Sequence, residues 1–195
     1  MKVYDVIVSR RTIRRFLQRP VDLLVLEKCV NAGRLAPSGA NLQPLEYLVV
    51  TEKSLCAKVF EALGWAGYLQ PKWFPCEGER PTAYIVVLVA DGQSPYYQRD
   101  AGFATENIVL AAEAEGLGSC VVCKIDKARL HHLFRLPQML LVDSVIALGY
   151  KGENSVVEAM KDSVRYWRDS DQVMHVPKRS LEDIMHVNGY VMKTK

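Results

Sequence analysis

Ala83-Tyr84-Ile85-Val86-Val87-Leu88-Val89-Ala90 is an unbroken apolar run rich in β-branched side chains. Side chains alternate between the two faces of a strand, so a run apolar at every position predicts a strand buried on both faces, at the centre of a sheet. Upstream, Leu45 to Val50 predicts a second strand and Lys53 to Leu63 a helix between the two. Downstream, residues 100–115 form the strongest helical pattern in the chain, with alanines and leucines around much of the circumference and few charges between Asn107 and Ala112. A helix apolar nearly all round is expected to be buried. Gly116 and Gly118 end it. Ser119 to Cys123 then returns as a strand, Asp126 caps a short helix to Arg135, and Val142 to Tyr150 is a further central strand.

Towards the ends of the chain the signals are shorter. Residues 3–9 predict a short helix, and Asp22 caps a helix from Leu23 to Leu35 that places Leu23, Leu26, Val30 and Gly33 on one face. Val164 to Trp167 and Val173 to Val176 alternate around Asp169-Ser170-Asp171, the pattern of a hairpin. Ser180 followed by Asp183 predicts a capped terminal helix. The expected architecture is α+β: one domain spanning residues 1–195, a sheet wrapped by helices.

Composition narrows the functional classes. A chain of 195 residues suffices for one domain with a sizeable core. Its 49% hydrophobic and 24% charged content is that of an ordinary globular protein, and a net charge of +3 gives no broad basic face for nucleic acid or an anionic membrane. No apolar run approaches the ~20 residues of a membrane-spanning helix. The start, Met1-Lys2-Val3-Tyr4-Asp5, carries no secretory pattern, and five irregularly spaced cysteines lead us to expect reduced thiols and a cytoplasmic location. Cys120 and Cys123 form a lone C-x-x-C, but no second pair accompanies it and the pleat turns the two thiols to opposite faces. We therefore expect no metal. The four histidines are scattered, and no nucleophile elbow, Rossmann or phosphate-loop signature is present.

Two segments do carry chemistry. Arg10-Arg11-Thr12-Ile13-Arg14 concentrates guanidinium groups and a hydroxyl, which suits a doubly charged phosphate, because arginine offers fixed bidentate hydrogen bonds to such oxygens. The same residues also fit a solvated basic turn. Ala36-Pro37-Ser38-Gly39-Ala40-Asn41-Leu42-Gln43-Pro44 sets amides and a hydroxyl between prolines, as a rigid loop that reads a polar ring edge or as a simple helix-ending turn. One segment for a phosphate and one for a heterocycle suggest a nucleotide-like cofactor. Between the strands, Gly64 to Arg80 holds Trp65, Tyr68, Trp73 and Phe74 among prolines. It either roofs a pocket for a planar ligand or buries its own rings as a satellite core.

In combination, Arg10-Arg11-Thr12-Ile13-Arg14-Arg15-Phe16, the Ala36–Pro44 loop, Asp100-x-Gly102-x-Ala104, Gly116-Leu117-Gly118-Ser119-Cys120 and Ala147-Leu148-Gly149-Tyr150 resemble the nitroreductase family. The resemblance covers most of the chain. It implies a mostly antiparallel central sheet, an intertwined homodimer with FMN at the subunit interface, and FMN-dependent oxidation of NADH or NADPH. By the same resemblance Arg10 and Arg14 contact the FMN phosphate or the flavin edge, Arg11 and Thr12 add bonds, and Lys178 and Arg179 complete the phosphate site. Pro37, Ser38, Gly39, Asn41 and Gln43 contact FMN held mainly by the other subunit. A backbone N–H of Cys123 or Lys124 meets flavin N5, and Arg10 or Lys72 supplies positive charge near N1–O2. Ping-pong electron transfer to a small nitroaromatic, quinone or similar acceptor follows, with Trp65, Tyr68, Trp73 and Phe74 as the acceptor pocket. No catalytic side chain is strictly required, because the flavin carries the chemistry. The alternatives are a flavin-fragmenting, dehalogenating or ene-reducing relative, and a non-catalytic flavin- or anion-binding protein.

Overall fold

The computed structural model describes residues 2–192. The expected central strand is β3 (Ala83–Ala90), and its alternating side chains feed two separate cores. Tyr84, Val86 and Leu88 pack with α3 (Lys53–Glu61) and α5 (Lys127–Phe134); Ala83, Ile85 and Val87 pack with α2 (Leu23–Arg34) and α4 (Tyr97–Ala114). Burying one such Ile or Val side chain contributes about 1.5–3 kcal/mol, so this strand anchors both layers.

Around it the sheet is antiparallel throughout. β3 pairs with β2 (Leu45–Val50) on one side and β5 (Leu140–Lys151) on the other. β5 also pairs with β4 (Leu117–Val122) and with the two-residue β1 (Phe16–Leu17). A bulge between Val87 and Leu88 passes over Asp143 in the β5 register. The expected caps are present: Asp22 Oδ1 accepts from the Leu24 N–H at 2.9 Å, and Asp126 Oδ1 from the Arg129 N–H at 3.0 Å. Residues 3–9 form α1 (Val3–Ser9), and Ser180 and Asp183 cap the single turn α6 (Leu181–Ile184).

Three expectations change. α4 is buried on one face only: Ala101, Ala104, Ile108 and Ala112 pack inward, while Phe103 is 53% exposed. Its outer alanines suggested burial because alanine is apolar, yet alanine is also the best helix former and tolerates solvent. The expected strand from Val164 shrinks to β7 (Trp167–Arg168), which does pair with β8 (Met174–Lys178) across a turn where Gln172 takes φ 64°. And β6 (Ser155–Ala159), absent from the sequence pattern, joins β8 in parallel to make a second, three-stranded sheet. Parallel pairing needs a long crossover, which no local pattern announces.

That small sheet carries a charged clamp. His175 on β8 has Nδ1 3.2 Å from Glu158 and Nε2 3.0 Å from Asp169, and the Trp167 ring stacks on it at 4.2 Å. Both ring nitrogens face carboxylates, so the arrangement favours the imidazolium, and these bonds raise the His175 pKa, the one to Asp169 first. A raised folded-state value adds stability that is complete below the unfolded pKa of about 6.5 and is lost as pH rises through the folded value. Urea midpoints should therefore fall between pH 6 and pH 8.5, and His175→Gln should flatten that slope. An unchanged slope in the variant would show that His175 is not the group responsible.

Candidate functional site

The arginine segment follows α1 and runs beside β4. Thr12 bridges Ser119, and the Ile13 N–H donates to the Ser119 carbonyl at 2.9 Å. Ile13 is buried, which turns its neighbours outward from the sheet. Arg10 lies 3.6 Å from Glu106 through Nε, beyond hydrogen-bonding distance, so that buried atom has no hydrogen-bond partner. Arg11 is held below its usual pKa, first by burial and then by repulsion from Arg10. Burial and a neighbouring cation both disfavour the Arg11 charge, and an anion bound beside it would offset both.

The backbone of the segment is fixed from the other side by Glu153. Its Oε1 accepts the N–H groups of Arg14 and Arg15, at 2.5 and 3.2 Å, while Oε2 takes Arg168 Nη2 at 2.7 Å. The Glu153 side chain is 1% exposed. With its backbone clamped, Arg14 lays its guanidinium 4.5 Å over the Tyr166 ring, and Arg168 sits 4.4 Å over Trp73.

The Pro37–Gln43 loop is held by a different buried carboxylate. Asp100 on α4 is 2% exposed; its Oδ1 accepts the Gly39 N–H at 2.9 Å and its Oδ2 the Ser94 hydroxyl at 3.2 Å. Ser38 Oγ accepts the Gln43 N–H at 3.1 Å. Within the loop Ala40, Asn41 and Gln43 all have positive φ, at 49°, 56° and 49°. A cluster of left-handed non-glycine residues is costly and persists only where surroundings over-determine it. Gly39 lets the loop approach Tyr96 closely: an added Cβ would meet Tyr96 Cδ2 at 2.7 Å and force that ring to move.

The Gly64–Arg80 segment, which contains both possibilities raised by its sequence, does part of each. Trp65, Lys72, Trp73 and Phe74 line an open cavity of about 600 Å³ with Phe60, Arg80 and Lys124. Trp65 also stacks on Phe60 at 5.3 Å. Tyr68 is not on that wall; its ring packs 5.1 Å from Tyr166. Cys123, beyond the end of β4, is exposed, and Cys120 is buried, where burial pushes its thiol up to about 11.

This order of parts, an arginine segment on β4, a strained Pro-Ser loop on α4, and an antiparallel sheet between two helical layers, can be compared with known proteins. The profile of the Nitroreductase family matches residues 7–150. The chain belongs to the nitroreductase family. An Archaeoglobus fulgidus protein provisionally named NADH dehydrogenase/NAD(P)H nitroreductase is 34% identical over 162 residues, covering 78% of this chain and 88% of that protein. Iodotyrosine deiodinase of Thermotoga neapolitana is 26% identical over 165 residues, covering 76% and 88%. In structure, a provisional nitroreductase from Desulfovibrio desulfuricans, solved in complex with FMN, superimposes with a TM-score of 0.69 at 22% identity over 98% of this chain and 99% of that one.

Within this nitroreductase chain the expected site residues fall into separate groups. Arg10, Arg11, Thr12 and Arg14 form one, beside β4. The two cavities lined by Pro37, Ser38, Gly39 and Gln43 contain none of residues 10–14, 123 or 124. Lys178 ends β8, and Arg179 donates to the Asp183 carbonyl and lines a cavity with Ile184, His186 and Tyr190. Sequence reasoning missed Glu153, Arg168 and Tyr166 altogether, and it quoted Asp100 without a role. No spacing rule links an acid to amides 138 and 139 positions away. Glu153 sits just past the end of β5 with no local cap to make, so no signal in its own neighbourhood marked it.

Proposed function

We propose that this chain is an FMN-dependent oxidoreductase that takes hydride from NADH or NADPH and reduces a small electrophilic acceptor such as a nitroaromatic or a quinone. The observation that carries this is the placement of the arginine segment on β4. Thr12 pairs with Ser119, and Cys123 lies four residues further on, about 13 Å along an extended strand. That is comparable to the reach of a ribityl phosphate arm, so a phosphate at residues 10–12 would leave a ring near the Cys123 and Lys124 amides. The family membership and the FMN complex of the Desulfovibrio relative support the same choice of cofactor.

The residues present fit that group. Arg10, whose Nε makes only a long ion pair to Glu106 and no hydrogen bond, and Arg11 beside it offer charge-assisted donors for a phosphate. Arg14, held at its backbone by Glu153, is available to a ring edge, and Lys178 and Arg179 are further candidates for the phosphate. When bound, FMN supplies a ring that accepts hydride from the nicotinamide and passes electrons on. The chain's own residues grip the phosphate, orient the ring and shape the space above it.

We further propose that a second copy completes the site through its Pro37–Gln43 loop. In one chain that loop lies apart from the arginine segment, and much apolar surface is uncovered: Val3 is 74% exposed, Tyr4 72%, Leu35 64% and Val187 67%. Large apolar side chains left uncovered in one chain are available to a partner surface.

Absorption spectra of the purified protein, recorded before and after anaerobic addition of NADH and then NADPH, test the proposal. A flavin spectrum that bleaches is the expected result and identifies the donor. Bound flavin that stays oxidised with both donors would leave a flavin-binding protein without this activity. No flavin, and none taken up from added FMN, would remove the proposal entirely. Sedimentation of the FMN-bound protein should give a dimer.

A further inference from the structure

The cavity under Gly64–Arg80 has aromatic walls and an excess of positive charge. Phe60, Trp65, Trp73 and Phe74 supply the rings; Lys72, Arg80 and Lys124 supply the cations. Its two carboxylates are committed elsewhere. Glu61 pairs with Arg129, and Asp126 caps α5 through the Arg129 N–H. Neither Lys72 nor Lys124 has an ion-pair partner among the described residues. Arg80 lies 4.3 Å over the Phe60 ring, and among the described residues neither its Nε nor the Trp65 Nε1 has a hydrogen-bond acceptor.

Gly64 contributes to this arrangement. A Cβ there would meet the Lys124 stem at 2.6 Å from Cδ and 2.8 Å from Cγ, so glycine is what lets that stem lie along the cavity edge. The wall is therefore rich in donors and cations and poor in acceptors. A cleft with an excess of one sign of charge, its opposite charges paired or capping elsewhere, concentrates ligands of the opposite sign, and rigid rings favour a planar one.

We propose that this cavity selects planar aromatic acceptors bearing an anionic group, a carboxylate or a sulfonate, over neutral acceptors with the same ring. The redox part of this rests on the oxidoreductase reading above; the binding preference does not. For a nitrobenzoate the reaction balances as follows. The nitro group takes two electrons and two protons, loses one oxygen as water and leaves as nitroso, while NAD(P)H and one proton become NAD(P)⁺. The carboxylate is unchanged and serves only to hold the ring.

Two measurements test it, binding on the purified protein as isolated and turnover on the FMN-loaded protein. Calorimetric titration with 2-naphthoate and with 2-naphthamide should give binding about ten-fold tighter for the anion, shrinking as salt is raised. In the K72Q/K124Q double variant that preference should fall towards unity. In turnover, 4-nitrobenzoate should exceed 4-nitrobenzamide in kcat/KM by a similar factor, mostly through KM. Equal binding of the two naphthalenes by the unsubstituted protein overturns the proposal. So does an anion preference that survives when R80Q is added to the double variant, because the charge then lies outside this cavity. If the anion preference is present but NAD(P)H bleaches no flavin, the oxidoreductase reading fails while the cavity's selectivity stands. If both nitro compounds turn over equally well and both naphthalenes bind alike, the selectivity fails while the oxidoreductase reading stands.

Discussion

Glu153→Ala should lower the unfolding free energy by about 3–5 kcal/mol and weaken FMN binding by more than ten-fold, the largest effects we expect of any single substitution outside the core. The stability loss arises because Arg168, whose side chain is 8% exposed, would be left as a charge without its carboxylate. Removing one member of a buried pair costs far more than the pair adds, since the survivor remains desolvated. The binding loss has a different origin. Glu153 Oε1 is the acceptor for the Arg14 and Arg15 N–H groups, and without it only the Thr12–Ser119 bridge and the Ile13–Ser119 bond hold the segment to β4, leaving the backbone at Arg14 and Arg15 unanchored. Glu153→Gln separates the two effects: the amide oxygen still accepts from the backbone, so FMN affinity should recover more than stability does. Urea unfolding and fluorescence titration with FMN and with riboflavin measure both. Loss of affinity for FMN with little change for riboflavin would locate the effect at the phosphate. Equal stability of Glu153→Ala and the unsubstituted protein would remove the buried pair from the explanation.

Asp100→Ala should cost about 1–3 kcal/mol and free the Pro37–Gln43 loop. Its carboxylate satisfies a backbone amide and a hydroxyl at once, and the Ser94 hydroxyl in turn accepts the Tyr96 N–H at 3.1 Å. The three positive-φ residues in the loop have no intrinsic reason to stay there once Gly39 is released. Amide exchange at Gly39 should accelerate, and if a second copy's loop completes the site as proposed, FMN binding should weaken. Asp100→Asn keeps one acceptor for Gly39 and should fall between the two. Unchanged exchange at Gly39 in Asp100→Ala would mean that the loop is held by its own bonds, such as Ser38 to Gln43.

The two carboxylates explain which parts of the site were legible in the sequence. Arg10 to Arg14 and Pro37 to Gln43 stood out as clusters of adjacent residues, which composition read equally as a basic turn and a helix-ending turn, and it was the family resemblance that pointed to a cofactor. Glu153 and Asp100, which hold those segments, did not stand out: a buried acid is identified by the donors that surround it, and those come from distant parts of the chain. The aromatic segment illustrates the same limit. Trp65, Trp73 and Phe74 share one cavity while Tyr68 turns to Tyr166, and no periodicity in Gly64–Arg80 distinguishes them.

The fold divides in the same way. Local signals determined the central strand, the capped helices and the apolar faces that separate the two cores, because period and capping act over a few residues. The tertiary structure alone decided the parallel β6–β8 pairing, the one-sided burial of α4, and the meeting of Lys72, Arg80 and Lys124 around one aromatic cavity. Each of these depends on long-range packing and on charges brought together from separate elements, and neither is encoded in the spacing of neighbouring residues.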